Sequence, residues 1–255
     1  MKPLILIMAF VFSTVVSGQT PDEARAVIEN MEWMTEQYPP YNYRDAQDGQ
    51  LKGITVDILM EIFKKVGVNI SRHDIPILPW ARSYTKLLRE PGTALFSTTY
   101  TVERLQLFKF VGPILPTRVS LLAKKSRGLE VRSVADMNTL RIGVIRKDIG
   151  DQLVRAVGVN TGVIEASNHA KNMVKKLHIG RLDAIAYAED VARYQFKLAG
   201  IDPDEYEAVY VLQRSYMGYT FHKSTDPRVL EPLQKALDEL RADGTVDTII
   251  AKYLH

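Results

Sequence analysis

Residues 94–114 read ALFSTTYTVERLQLFKFVGPI, and this segment is the most informative part of the chain about the fold. The apolar run at its start predicts a buried strand over Ala94–Thr98. A cluster of hydroxyl residues follows, and a helix is expected to begin at once, with Thr101 as its N-cap. A strand that leads directly into a helix is typical of α/β folds, which bind ligands at the carboxyl ends of their strands.

The same segment predicts a site for an anion. A helix N-terminus carries partial positive charge and free NH groups, and the hydroxyls of Ser97, Thr98 and Thr99 lie next to it in sequence. Arg104 adds a planar guanidinium that can bond both oxygens of a carboxylate. The alternative is an ordinary capped helix with a solvated arginine, and the residues alone do not separate the two.

Short β-like runs alternate with amphipathic helical runs on both sides of this segment, which favours an α/β fold with parallel strands. We expect further strands over residues 26–31, 69–75, 141–145, 163–165 and 183–187. We expect helices over residues 58–66, ended by Gly67, and over 80–88, 151–157 and 170–177, with two C-terminal helices that begin at Asp226–Pro227 and at Thr245. On the first of these helices, Asp57 and Glu61 are expected on the solvent face.

The C-terminal helices have no strands of their own, so they are expected to return to the first sheet. Two α/β lobes, connected by crossings near residues 114–120 and 214–220, account for this order. Lobe one would contain residues 19–115 and 217–255, and lobe two residues 116–216. A ligand cleft would lie between the lobes, because two sheets that face each other share a pocket.

The first 18 residues are typical of an export signal. Lys2 is followed by an apolar run from Leu4 to Phe12 and by the small residues Ser17 and Gly18. The apolar run is shorter than the ~20 residues that span a bilayer. We therefore expect cleavage after Gly18 and a periplasmic location. Cleavage removes one positive charge from a formal charge of +3, which leaves a nearly neutral protein.

The composition excludes several classes of function. The chain has no cysteine, so disulfides, thiolate metal sites and cysteine nucleophiles are absent. It contains no GxGxxG, GxxxxGK[ST], GxSxG or HExxH motif, and its five histidines show no metal-ligand spacing. Basic residues are dispersed rather than grouped with aromatic residues, which argues against binding nucleic acid. We expect no metal and no cofactor.

Aromatic residues near two prolines suggest a wall of the cleft. Tyr38, Tyr41 and Tyr43 surround the pair Pro39–Pro40, and tyrosine combines an apolar face with a polar tip. Trp80 shares a helical stripe with Tyr84 and is a candidate for either ligand contact or packing. Arg82 could grip a second carboxylate of the ligand, but only if the helix begins after it; otherwise Arg82 would face solvent or pair with an acid.

Taken together, several segments resemble the bacterial extracellular solute-binding proteins of family 3, which serve polar amino acid ABC transporters. The resemblance covers almost the whole mature chain. It implies that Ser97, Thr99 and Arg104 hold the α-carboxylate of an amino acid and that Tyr38 lies against its side chain. The matching stretches are YPPYNYRDAQDGQLKGITVDILMEIFKKVG (38–67), LPWARSY (78–84), STTYTVER (97–104), FVGPI (110–114), GRLDAIAY (180–187) and LDELRADGTVDTIIAKYL (237–254).

Two departures from the family bear on the ligand. Where the family often has small hydroxyl residues in lobe two, this chain has Arg146, Lys147 and Asp148, which are either ligand contacts or a charged solvent-facing turn. The family usually places an acid for the α-ammonium five residues after the aspartate of GRLDAIAY, and here that position is Ala188. Glu189 could restore the acid through a local bulge, and Asp148 is another candidate.

The resemblance implies a type II periplasmic binding protein, a monomer that closes its lobes on a small carboxylate-bearing metabolite and docks on the membrane permease of an ABC transporter. The expected ligand contacts are Tyr38, Tyr41, Trp80, Arg82, Ser97, Thr98, Thr99, Arg104, Arg146, Asp148, Tyr187 and Glu189. The alternative is an enzyme on the same fold that resembles cyclohexadienyl or arogenate dehydratases, with Asp148 or Glu189 as proton donor. A third option is a sensory module.

Overall fold

The computed structural model describes residues 21–254, along which strands and helices alternate. The strands are β1 (Glu32–Met34), β2 (Tyr43–Arg44), β3 (Leu51–Lys52), β4 (Thr93–Thr99), β5 (Phe108–Lys124), β6 (Ile142–Ile145), β7 (Ile164–Ser167), β8 (Ala184–Ala188) and β9 (Tyr206–His222). The helices are α1 (Pro21–Glu29), α2 (Ile54–Val66), α3 (Trp80–Arg89), α4 (Val102–Leu107), α5 (Val134–Met137), α6 (Ile149–Ala156), α7 (Ala170–His178), α8 (Glu189–Leu198), α9 (Pro227–Ala242) and α10 (Thr245–Leu254). Short 3₁₀ turns occupy Arg72–Asp74, Lys125–Arg127, Thr161–Val163 and Pro203–Glu205.

Seven of these strands form one mixed sheet in the order β1-β4-β9-β5-β8-β6-β7, and β2 pairs with β3 in a separate hairpin. The outer pairs β1–β4, β6–β8 and β6–β7 are parallel. The pairs β4–β9, β5–β9 and β5–β8, in the middle of the sheet, are antiparallel. Short parallel strands with helices between them thus build both ends of the sheet. The two ends are the α/β lobes.

The long strands β5 and β9 connect the two lobes. Each has 17 residues, and their register runs from Phe108 opposite His222 to Lys124 opposite Tyr206. Near the middle of the pair, Thr117 lies opposite Ser215 and Arg118 opposite Arg214. The fold is therefore that of a type II periplasmic binding protein, with two lobes, a two-strand hinge and a cleft between the lobes.

Helix α2 packs on lobe one as the sequence predicts. Ile58, Leu59, Ile62 and Phe63 are buried, and Gly67 ends the helix with a φ of 72° that favours glycine. Each such side chain contributes about 1.5–3 kcal/mol by leaving water. The prediction that Asp57 faces solvent is wrong: Asp57 is buried and accepts hydrogen bonds from Arg72 and from the C-terminal helix α10.

Two predicted strands are wrong. Residues 26–31 lie mostly in helix α1, because Ala24 and Ile28 bury the same helical face, and the first strand begins only at Glu32. Residues 69–75 contain a 3₁₀ turn in which Ser71 and Asp74 form a capping box. The other predicted strands and helices are present within a few residues of their expected bounds, and Thr101 and Asp226 are the N-caps of α4 and α9.

The predicted export signal, residues 1–18, lies outside the described residues. Among the helices between residues 21 and 254, none combines the length and the apolar character that a membrane-spanning helix requires.

Candidate functional site

A cavity of about 300 Å³ lies in the cleft, between the carboxyl ends of strands from both lobes. On lobe one, the cavity is lined by residues after β1 and by residues at or just before the start of α3. On lobe two, it is lined mainly by residues at or after the ends of β6, β7 and β8. A volume of this size accommodates one small metabolite. The lining residues are Glu36, Gln37, Ile77, Leu78, Pro79, Trp80, Ile145, Asn168, His169, Ala170, Lys171, Tyr187 and Gln195.

Arg104 is fully buried beside this cavity: it packs against Trp80 of the cavity wall but is not itself a lining residue. Thr101 caps α4 by accepting a 3.0 Å hydrogen bond from the backbone NH of Arg104, which fixes the start of the helix. The guanidinium donates from Nη1 to the carbonyl of Thr99 at 3.2 Å and from Nε to Gln152 Oε1 at 3.2 Å. Within residues 21–254 its Nη2 is buried and has no hydrogen-bond partner. A buried donor of this kind is costly unless a ligand completes it.

Aromatic rings surround the guanidinium. Its Cζ lies 5.2 Å from the centre of the Trp80 ring and 5.5 Å from that of Tyr84, which are distances of cation–π contact. Burial lowers the pKa of Arg104, and Asp148 opposes this effect, but an arginine in a protein stays protonated. A group with a permanent positive charge therefore lies beside the cleft.

Two carboxylates lie near this charge without bonding to it. Asp148 is 4% exposed, and in the described part of the chain its buried Oδ2 has no hydrogen-bond partner. Burial raises the pKa of Asp148 to about 6, although Arg104 acts in the opposite direction. Glu36 is 7% exposed and lines the cavity. Burial, reinforced by the negative charge of Asp148, raises the pKa of Glu36 well above its usual value, while Arg104 lowers it.

Seven of the predicted site residues lie around the cleft, and two of them, Trp80 and Tyr187, line the cavity. The rings of Tyr38 and Tyr187, from opposite lobes, are 5.8 Å apart in an edge-to-face arrangement, and Tyr41 lies 5.8 Å from Tyr38. Tyr41 also donates a 3.0 Å hydrogen bond to Asp190 of lobe two. The seven residues are Tyr38, Tyr41, Trp80, Thr99, Arg104, Asp148 and Tyr187. Their contact with a ligand stays a prediction.

The hydroxyls of Ser97 and Thr98 point into protein networks rather than into the cavity. Ser97 bonds to Asn42 and, at 2.9 Å, to Thr55, and it has a φ of 64°, which is unusual for a residue other than glycine. Thr98 pairs with Thr220 across the sheet at 2.8 Å. Thr99 contributes its backbone carbonyl, which accepts a hydrogen bond from Arg104 Nη1.

Three other predicted contacts have side chains that are exposed or bonded outside the group around Arg104, although one of them, Arg146, contacts the lining residue Asn168. Helix α3 begins at Trp80, so Arg82 is on the opposite face of the helix and is exposed. Arg146 is exposed and donates from Nε to Asn168 at 3.3 Å. Helix α8 begins directly after Ala188, without a bulge, and this turns the Glu189 carboxylate toward Arg118 and Ser120 of the hinge strand β5.

Sequence reasoning missed Glu36 and Gln152. Glu36 follows β1, and a correct assignment of that strand would have identified it as an acid at a strand end, two residues before Tyr38. Gln152 gives no signal in sequence, because glutamine on a helix is usually a surface residue. Among the described residues, no group of three or more histidine, aspartate or glutamate side chains is arranged to hold a metal ion.

Comparison with known proteins agrees with this architecture. A "Probable histidine-binding protein" of Campylobacter jejuni is 23% identical over 248 residues, which cover 94% of this chain and 91% of that protein. The "Histidine-binding periplasmic protein" of Salmonella typhimurium is 23% identical over 255 residues, which cover 98% and 94% of the two chains.

Solved structures share the fold. A histidine kinase sensor domain with similarity to periplasmic binding proteins has a TM-score of 0.77 at 18% identity, covering 88% of this chain and 96% of that chain. An ancestral arginine-binding protein bound to arginine has a TM-score of 0.74 at 24% identity, covering 88% and 98%. An ancestral amino acid-binding protein described as a precursor of cyclohexadienyl dehydratase has a TM-score of 0.74 at 22% identity, covering 92% and 99%.

The model of one family matches residues 33–255, which is nearly all of the chain after the predicted signal. The chain therefore belongs to the bacterial extracellular solute-binding proteins, family 3.

Proposed function

We propose that this protein captures an amino acid with a positively charged side chain in the periplasm and delivers it to the permease of an ABC transporter. The observation that carries the proposal is the charge of the buried site. One guanidinium interacts electrostatically with two carboxylates, and all three groups are at least nine-tenths buried. With every group ionised the site has one negative charge in excess. A ligand that carries one net positive charge would neutralise it.

Unpaired atoms support a role in holding the main chain of an amino acid. Arg104 Nη2 is a free donor for an α-carboxylate, and Asp148 Oδ2 is a free acceptor for an α-ammonium. Both atoms are buried, so each is costly until a ligand completes it. Asp148 would thereby replace the acid that the family usually has at the position of Ala188.

Glu36 supports a positively charged side chain on the ligand. Its carboxylate makes no hydrogen bond among the described residues and borders the cavity. A cation beside it would stabilise its ionised form and offset repulsion from Asp148. Tyr38, Trp80 and Tyr187 provide aromatic faces for the carbon atoms of such a side chain. The names of the histidine-binding and arginine-binding relatives agree with this ligand class.

The family and the predicted signal support the proposed location and partners. Residues 1–18 would direct export, and the mature protein would act as a monomer without nucleic acid. The two lobes would move as rigid bodies about β5 and β9. Lobe one is residues 19–115 with 217–255, and lobe two is residues 116–216. The ligand favours the closed form, because Arg104 and Asp148 reach it together only there. The closed form would then dock on the permease.

Calorimetry with L-arginine, L-lysine, L-histidine, L-glutamine and L-glutamate tests the proposal. We expect a positively charged amino acid to bind most tightly. Arg104→Ala should weaken binding of every amino acid by roughly 100-fold, because a charge-assisted pair is lost. Glu36→Gln should weaken only the positively charged ones, by about tenfold. Arg89→Ala, at an exposed position on α3, is the control. Tightest binding of L-glutamate, or an Arg104→Ala variant that binds normally, would contradict the proposal.

One observation bears on the enzyme alternative. Asp148 has a raised pKa of about 6 in a closed cleft, as a proton donor requires. Prephenate and arogenate, however, each carry two carboxylates and a net negative charge, and the excess negative charge of a site with two acids and one guanidinium would repel them. The relatives named above are binding proteins. Incubation with prephenate or arogenate is therefore expected to give no product by chromatography.

A further inference from the structure

The side-chain amide of Gln152 connects the two lobes through the guanidinium. Gln152 lies on α6 of lobe two, and its Oε1 accepts the hydrogen bond from Arg104 Nε of lobe one at 3.2 Å. Its Nε2 donates to the backbone carbonyl of Lys147, also of lobe two, at 3.2 Å. Because the donor end is occupied, the oxygen is directed toward the guanidinium. The amide is thus oriented by its own lobe before it meets the other lobe.

The carbonyl of Lys147 accepts a second hydrogen bond, from Trp80 Nε1 of lobe one at 2.8 Å. The turn that presents this carbonyl is held by the backbone NH of Lys147, which donates to Asp151 Oδ2 at 2.8 Å, and Lys147 has a φ of 61°. The Trp80 ring in turn lies against the Arg104 guanidinium. These contacts therefore form a closed circuit that crosses the cleft twice. It runs from Arg104 to Gln152, then to Lys147, then to Trp80 and back to Arg104.

The circuit determines which atom of Arg104 is left for a ligand. Gln152 occupies Nε and the Thr99 carbonyl occupies Nη1, so Nη2 is the nitrogen without a partner in the described residues. The Thr99 carbonyl belongs to lobe one and the Gln152 side chain belongs to lobe two. We infer that Gln152 is a positioning residue that completes the carboxylate-binding orientation of Arg104 only when the lobes close, and so links ligand binding to closure. This inference rests on the proposed function.

Substitution by methionine tests the inference, because methionine has nearly the shape of glutamine but no amide. Gln152→Met should weaken L-arginine binding by ~10-fold, the loss expected for a hydrogen bond to a charged group. The loss should appear in the dissociation rate, since the circuit exists only in the closed form. The thermal unfolding temperature of the ligand-free protein should be unchanged. Gln106→Met, at an exposed position on α4, is the matched control and should match the wild type.

A second variant separates positioning from general packing. Lysine at position 104 has no Nε–H in that geometry, so Gln152→Met should have no additional effect on dissociation in an Arg104→Lys background. The absence of cysteine allows spin labels on Lys64→Cys and Arg132→Cys, which are 79% and 81% exposed and lie in different lobes. At saturating L-arginine, Gln152→Met should show a smaller fraction of the short interlobe distance than the wild type.

The outcomes distinguish this inference from the proposed function. A wild-type protein that binds no amino acid overturns the proposed function, and the role of Gln152 fails with it. A wild-type protein that binds, together with a Gln152→Met variant of equal dissociation rate and equal closed fraction, overturns only the inference about Gln152. An equal effect of Gln152→Met in both backgrounds also overturns it, since the effect would then not pass through Arg104.

Discussion

Arg104, Asp148 and Glu36 form a buried group in which burial and charge act against each other. Burial favours the neutral form of both acids, and nearby negative charge adds to this effect, from Asp148 at Glu36 and from Asp151 at Asp148, while Arg104 favours the ionised forms. In the unfolded chain both acids have pKa values near 4. The raised pKa values mean that the ligand-free closed form binds more protons than the unfolded chain. Its stability therefore falls as pH rises from about 4 through about 6.

Ligand affinity is expected to have the opposite pH dependence. In the proposed complex the α-ammonium binds the ionised carboxylate of Asp148, whose pKa burial raises to about 6. Affinity for L-arginine should therefore rise about tenfold between pH 5 and pH 7, with release of protons on binding. Calorimetry in two buffers of different ionisation enthalpy measures both quantities. Affinity that is constant over this range, with no proton release, would show that Asp148 does not bind the ammonium.

The sequence predicts some of these residues better than others, and the reason is local. Arg104 follows a hydroxyl N-cap by three residues, a spacing with a definite geometry, so its place at a helix start can be inferred. The role of Glu36 depends on where β1 ends, and the sequence pattern predicts a strand over residues 26–31, where the structure has most of helix α1. Gln152 and Asn42 act through partners distant in sequence, which no local pattern reveals.

At the level of elements, helix α10 is fixed to the start of α2. The hydroxyl of Tyr253 donates to Asp57 Oδ2 at 2.8 Å and accepts from the backbone NH of Gly53 at 3.2 Å, and Lys252 reaches the same carboxylate at 3.0 Å. Burial tends to raise the pKa of Asp57, but hydrogen bonds from Arg72, Lys252 and Tyr253 outweigh it and lower the pKa. A buried acid with so many donors was not predictable from a helix pattern, which assigns the polar face to solvent.

Removal of the Tyr253 hydroxyl should therefore destabilise lobe one. Tyr253→Phe loses two hydrogen bonds while it keeps the ring, and we expect a decrease of about 1–2 kcal/mol in the free energy of unfolding. Urea unfolding measures the change. Affinity for L-arginine should stay within about twofold, because the cluster is outside the cleft. Tyr216→Phe, at a position that is 53% exposed, serves as the control and should not change stability. Equal stability of the two variants would show that the contacts of Tyr253 contribute little.

For the whole molecule, several contacts cross the cleft, and in the proposed mechanism they favour the closed form. Hydrogen bonds from Tyr41 to Asp190 and from Trp80 to Lys147 join the lobes outside the charged group. The hinge itself is held within lobe two, where Glu189 bonds to Arg118 and Ser120 of β5. The two adjacent acids at the start of α8 therefore have different partners: Glu189 bonds to the hinge strand, and Asp190 accepts a hydrogen bond across the cleft. The alternation of strands and helices predicts the two lobes, but not these contacts, because each depends on how the lobes meet.

The bond between Tyr41 and Asp190 gives a test of closure that leaves the charged site intact. Asp190 is exposed, so Asp190→Asn should not alter the stability of the ligand-free protein, but it weakens an acceptor that only the closed form uses. A loss of ~1 kcal/mol corresponds to about fivefold faster dissociation of L-arginine, with little change in the association rate. Stopped-flow fluorescence measures both rates. Asp204→Asn, whose partner Arg193 lies in the same lobe, is the control. Equal dissociation rates for the two variants would mean that this bond does not contribute to closure.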